Sequence, residues 1–211
     1  MEAGDVAEQI LELKEESAER GADEKFRQRV ALLIAFMAML LAITSLGGGN
    51  AVEDIMNNNI EASDTWAFYQ AKNIRQTSYK IAAEMLESEL QDANLAPERR
   101  QSLQNKIEQF KVTATRYEDE PDPQWPNDPL RGEGKKQLSA RAQSFAAKRD
   151  RAQRQDPNFD FSEALFQIAI VLASVSILAA SRMVMRVSVV VGIVAVVLML
   201  NGYFLFFDLP F

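Results

Sequence analysis

The sequence predicts an all-α membrane protein: three transmembrane helices, with a long extramembrane helical hairpin between the first and the second. Three observations carry this. Residues 30–46, 164–181 and 183–207 are apolar runs, the first two free of charge and the third interrupted only by Arg186. Residues 51–96, within the polar stretch between the first two runs, contain neither Pro nor Gly. Basic residues gather at the ends of the runs rather than inside them. A helix rises about 1.5 Å per residue, so roughly 20 residues cross a hydrocarbon core of about 30 Å.

Whole-chain averages conceal this partition. The 211 residues carry 23 Lys+Arg against 30 Asp+Glu, the balance of an ordinary acidic soluble domain. The absence of His and Cys says more. It excludes thiol and Ser-His-Asp catalysis, zinc-thiolate sites, iron–sulfur clusters and a histidine pH switch within this chain.

Taken in order, residues 1–29 read as an acidic amphipathic N-terminal helix, with Val6, Ile10, Leu13 and Ser17 on one stripe and glutamates elsewhere. Residues 30–47 form the first span. It is read as a retained anchor, because a signal peptide would have a basic n-region and a nearby small-residue cleavage site. Gly47, Gly48 and Gly49 end it, either unwinding the helix or letting backbones approach.

Residues 48–162 are the extramembrane domain. Ile60, Ala67, Ile74 and Ile81 recur every seven residues, with Ala71, Ser78 and Met85 beside them, and read as the packing seam of the hairpin. Asn94 and Pro97 mark its turn, and Leu103, Ile107, Phe110 and Ala114 give an amphipathic return helix. The Pro-rich loop at 120–134 forbids a regular helix and reads as either a flexible surface loop or, the reading favoured here, a strap held by Trp125. A third helix follows from Lys135 to Arg154, and Asp156-Pro157-Asn158 is expected to break it before the second span.

The second span is 163–181, the third 187–207, joined by a short basic turn at 182–186, and 208–211 is a C-terminal tail. Arg20, Lys25, Arg27 and Arg29 precede the first span, and Arg182 and Arg186 lie in the turn. Both clusters place the N-terminus in the cytoplasm and 48–162 outside. Lys148, Arg149, Arg151 and Arg154 dissent, in a segment long enough for the rule to weaken.

No catalytic or metal-binding residue and no cofactor is expected. The carboxylates lie on helix faces without calcium-loop spacing, and no phosphate-binding or nucleophile-elbow motif occurs. No carboxylate sits mid-span, as a proton-coupled transporter requires. No segment has the basic footprint of a nucleic-acid binder.

Two kinds of contact residue stand out instead. Ala31, Ala35, Ala38 and Ala42 on the first span, and Ala169, Ala173, Ser176 and Ala180 on the second, form small-residue stripes that let helix backbones come close. Trp66, Phe68, Tyr69, Lys72, Arg75 and Tyr79 give an aromatic and basic face beside the seam, either a candidate interaction face or a surface that packs onto the return helix or the membrane.

The segment NIEASDTWAFYQAKNIRQTSYKIAAE, after ITSLGGGNAVEDIMNNN, resembles an uncharacterised bacterial membrane protein family, domain of unknown function 4337. The resemblance runs along the chain and implies the three-span architecture and a bacterial inner membrane. It implies no activity and no site residues. The expected function is that of a non-enzymatic inner-membrane structural or accessory protein. It would form a homo-oligomer or dock on a larger membrane complex, with membrane lipid around its spans. The alternative is a homo-oligomeric channel or transport accessory, with Ser174, Ser176 and Asn201 lining a path.

Overall fold

The computed structural model describes residues 3–209, with side chains at 20, 21 and 23–209. The stripe expected at Val6, Ile10, Leu13 and Ser17 therefore lies outside the described side chains. Among the described residues there are four helices and no strand: α1 (Ala3–Leu90), α2 (Pro97–Glu118), α3 (Lys135–Leu178) and α4 (Arg182–Phe204). Three of them, α1, α3 and α4, are long and apolar enough to cross a membrane by length and composition.

The chain divides into two compact units. One, the bundle unit, gathers the chain up to Val52 with Ala152 onward, and the other, the strap unit, is Glu53–Arg151.

In the bundle unit α1, α3 and α4 pack around Val30, Met37, Phe166, Ala169, Ala173, Ala195 and Met199. Two serines cross-connect α3 and α4. Ser162 Oγ donates to the Ala195 carbonyl at 2.8 Å, and Ser188 Oγ to the Ala169 carbonyl at 2.7 Å. The two helices are therefore antiparallel. Buried hydroxyls could have bonded within their own helix; here they satisfy a carbonyl on the neighbour.

Two expected breaks are absent. The glycine run does not unwind α1, which is helical through 47–49. What it admits is side chains rather than another backbone. A Cβ on Gly47 would fall 2.6 Å from Phe159 Cε1 and 2.8 Å from the Tyr203 hydroxyl, and one on Gly202 would fall 2.7 Å from Phe159. Glycine in a helix costs about 1 kcal/mol, and here the missing side chains make the bed for a buried ring. Phe159 meets Tyr203 edge-on at 4.9 Å, and the Tyr203 hydroxyl donates to the Ile43 carbonyl at 3.0 Å.

Pro157 likewise lies inside α3 instead of ending it. Its ring removes one helical hydrogen bond, but its neighbours hold the segment. Asn158 Nδ2 donates to the Arg154 carbonyl at 2.8 Å, and Asn158 Oδ1 accepts from Asn201 Nδ2 at 2.7 Å. The local bond to Arg154 and the tertiary bond from Asn201, both made at Asn158, override the proline's preference. The helix expected at Lys135–Arg154 and the second span are thus one element. The third span begins earlier than expected, at Arg182, and ends at Phe204 in a left-handed Leu205.

In the strap unit α1 and α2 form the expected antiparallel hairpin. Tyr79 packs on Phe110 and Tyr117, while Glu89 pairs with Arg99 near the turn. α3 completes it, also antiparallel to α1, with Lys135 reaching Gln76 and Arg149 reaching Asn59. Leu103, Ile107, Ala114, Leu138 and Ala142 are buried.

The expected seam is reversed. Ile60, Ala67, Ile74 and Ile81 are exposed, Ile74 at 67%. The inward face of α1 is instead Ala62, Thr65, Tyr69, Lys72, Gln76, Tyr79 and Ala83, which also alternates steps of three and four. Small and hydrogen-bonding side chains let two further helices approach. The larger β-branched residues are left outside.

Candidate functional site

The six residues of the aromatic and basic face do not stay together on the surface. Trp66 and Tyr69 meet edge-on at 5.4 Å, and both are half-buried. Lys72 is buried, its ammonium 5.3 Å from the Phe68 ring centre and 5.6 Å from that of Tyr117. Tyr79 is half-buried against Phe110 and Tyr117. Phe68 and Arg75 are exposed. Four of the six, Trp66, Tyr69, Lys72 and Tyr79, pack at least partly within the strap unit. Its aromatic rings offer their electron-rich faces to buried ammonium groups.

Those ammonium groups organise a polar core. Lys72 Nζ bonds Glu120 Oε2 at 3.2 Å and Glu133 Oε2 at 3.3 Å, one at each end of the Pro-rich segment. Lys135 Nζ donates to Gln76 Oε1 at 2.8 Å and to Glu118 Oε2 at 3.1 Å. Gln76 Nε2 donates to the Ala114 carbonyl at 2.9 Å and to Glu118 at 2.8 Å. The strap closes where Glu133 N donates to the Glu120 carbonyl, with Gly132 at φ 116° opposite Pro121. A side chain at Gly132 would run into the Glu120 carbonyl. Trp125, the expected holder of the strap, is 53% exposed, with Arg131 stacked 4.7 Å from its ring.

The electrostatics follow from these bonds. Hydrogen bonds from Gln76 and Lys135 hold the Glu118 carboxyl below its ordinary value, and one from Gln137 does the same for Asp119. Asp156, in the bundle unit, goes the other way. Burial raises its pKa, helped by Asp160, and its Oδ1 has no hydrogen-bond partner among the described residues. The lysines of the strap core are each matched to carboxylates, an arrangement that fastens helices. Among the described residues no group of acids is placed to hold a metal ion.

The small-residue stripes separate cleanly. Ala169, Ala173 and Ser176 are buried in the bundle, while Ala180 lies in the turn after α3 at φ 48° and is exposed. Ala31, Ala35, Ala38 and Ala42 are all exposed. The residues expected to line a path divide between the interior and the surface, with Ser174 exposed. Ser176 and Asn201 are buried, with Ser176 bonded to the Ala173 carbonyl and Asn201 to Asn158 and Phe207. Ser174 donates to the Ile170 carbonyl.

In the bundle unit the exposed positions run from Ala31 in steps of three and four through Ser45 and Gly49 to Val52, and in the strap unit a like series includes Met56, Ile60, Ile74, Ile81 and Met85. Each unit thus leaves its share of α1 with an outward stripe of small or apolar residues. The sequence shows these residues, but not which of two interleaved stripes faces inward.

A family model described as a domain of unknown function, DUF4337, matches residues 26–205. No curated protein and no solved structure matches the chain.

Proposed function

We propose that this chain, which belongs to the DUF4337 family, is a non-enzymatic, multi-pass membrane protein that assembles with further copies of itself along α1. The setting that fits is a bacterial inner membrane, crossed by α1, α3 and α4, with the N-terminus in the cytoplasm and the strap unit outside. The observation that carries self-assembly is the outward stripe of α1.

In the span, Ala31, Ala35, Ala38 and Ala42 leave the backbone approachable, and lipid-embedded helices associate through such close packing. Beyond it, Val52, Met56, Ile60, Ile74, Ile81 and Met85 are each 45% exposed or more. Covering them would recover roughly 1 kcal/mol per side chain, since full burial of such a group is worth about 1.5–3 kcal/mol. Summed over two copies, that offsets the several kcal/mol lost on association.

The chain has no cysteine, so single cysteines report contacts without background. Ala38→Cys and Ile74→Cys are expected to give disulfide-linked dimers in membranes, and Asn73→Cys, on a neighbouring face, none. Monomers at all three positions would sink the proposal.

A further inference from the structure

The bundle unit brings together two basic clusters that are far apart in the sequence. Lys25 and Arg29 on α1, and Arg182 and Arg186 on α4, line one cleft of about 430 Å³ whose apolar part is Phe26 and Met185. No acidic side chain lines it, and none of the four cations makes an ion pair among the described residues. The cleft also lies at the N-terminus of α4, capped by Ser181, where the helix dipole adds positive potential. Like charges gathered without a counter-ion favour an anion, and the forked guanidinium groups suit phosphate oxygens.

The same two helices carry a second feature. One turn beyond Arg29 and Arg186 begins a groove of about 210 Å³ between α1 and α4, lined by Leu33, Phe36, Met37, Val189, Gly192 and other apolar residues. A Cβ on Gly192 would press on Met37 Sδ at 3.1 Å, so the glycine keeps the helices close there. From Phe26 to Leu40 the path runs about 20 Å along α1, the reach of a long acyl chain. A cationic head site continuing into an apolar groove has the two-part chemistry of a phospholipid.

We propose that the α1–α4 cleft is a binding site for an anionic phospholipid, its phosphate held by Lys25, Arg29, Arg182 and Arg186 and one acyl chain laid along the groove. The proposal rests on the membrane-embedded reading above. Basic pockets between membrane helices take anionic headgroups by the same electrostatics.

The test uses the full chain, purified in neutral detergent and offered phosphatidylglycerol or phosphatidylcholine, with retained lipid counted by native mass spectrometry. Phosphatidylglycerol is expected to be retained at least about tenfold better. Arg29→Gln with Arg182→Gln should bring the two within about twofold, and Arg186→Gln alone should give a smaller loss. The charge-matched control, Arg27→Gln with Arg151→Gln, should keep the preference.

Inorganic phosphate is the second probe. Failure of millimolar phosphate to displace phosphatidylglycerol supports a lipid, whereas displacement by the free ion overturns the two-part site. Equal retention of both lipids, or a preference untouched by the Arg29/Arg182 pair, also overturns it. Alkaline washing of membranes separates the readings. Protein washed off defeats the membrane assignment, and protein that stays without lipid preference defeats the lipid site alone.

Discussion

In the bundle unit Val30, Met37, Phe166 and Ala173 are buried together, and its paired polar groups include Ser162 and Ser188 with carbonyls and Asn201 with Asn158. In the strap unit Lys72, Gln76, Lys135 and Gln137 are buried, while Ile60, Ile74 and Ile81 lie outside. The first unit coheres by close packing of small residues and one ring seated over glycines. The second is fastened by charge-assisted bonds, whose donors and acceptors come from α1, α2, α3 and the strap. The contrast teaches that burial alone does not identify the interior of this chain. In both units the exposed positions include many of its large apolar residues, and in the strap unit the buried ones include its most strongly hydrogen-bonded.

The comparison can be broken in three places. The largest effect is expected from Phe159→Ala. Removing a buried ring typically costs about 3–5 kcal/mol, and the void would lie against Gly47 and Gly202, which have no side chain to fill it. Thermal melting in detergent should show the loss. Hydrogen exchange within 53–151 should stay unchanged; exchange that rises equally there would show that the two units do not cohere separately.

Next is Lys72→Met. It leaves Glu133 without its ion pair and Glu120 with Arg116 alone; the two carboxylates are 69% and 33% exposed, so the cost falls below that of a fully buried pair, at about 2 kcal/mol. Limited proteolysis should then cut the strap faster, with the cleavage pattern of the bundle unit unaltered. A strap as resistant as before would mean that its Gly132 neck holds it unaided.

The smallest effect is pH-dependent. The Glu118 carboxyl is held below its ordinary 4.5 by Gln76 and Lys135. A group whose folded pKa is depressed contributes stability above its unfolded pKa and loses it as pH falls through the folded one. The strap unit should therefore loosen progressively below about pH 4.5, and Glu118→Gln should flatten that part of the profile. An unchanged profile in the variant would remove Glu118 from the acid response.

Much of the helical plan was legible in the sequence, because uncharged runs, turn residues and the three-and-four spacing of a helix face are local signals. The three apolar segments, the turn near Pro97 and the return helix with Leu103 and Ile107 could all be read from them. What misled was local too. The glycine run and Pro157 look like breaks, but Phe159 and Asn201, which hold those segments in helix, come from elsewhere in the chain. The heptad of Ile60, Ile74 and Ile81 looked like the seam because hydrophobicity was its only visible criterion. The competing face through Lys72 and Gln76 becomes interior once Glu118, Glu120, Glu133 and Lys135 arrive from three other segments. Of the aromatic and basic residues around Tyr69, Lys72 and Tyr79 join that core, while Arg75 stays exposed.

The two serines that join α3 and α4 have a consequence for how the chain can change length. Ser162 meets Ala195 and Ser188 meets Ala169, so both helices carry the same seven-residue rung between donor and acceptor. Seven residues are about two turns, which keeps both ends of each rung on one face. Inserting or deleting one residue inside either rung turns the far end by about 100° and parts one hydroxyl from its carbonyl. The pair works as a ruler. It fixes the length of chain between its marks and leaves the bend at 179–181 and the ends of the helices as the places where residues can be gained or lost.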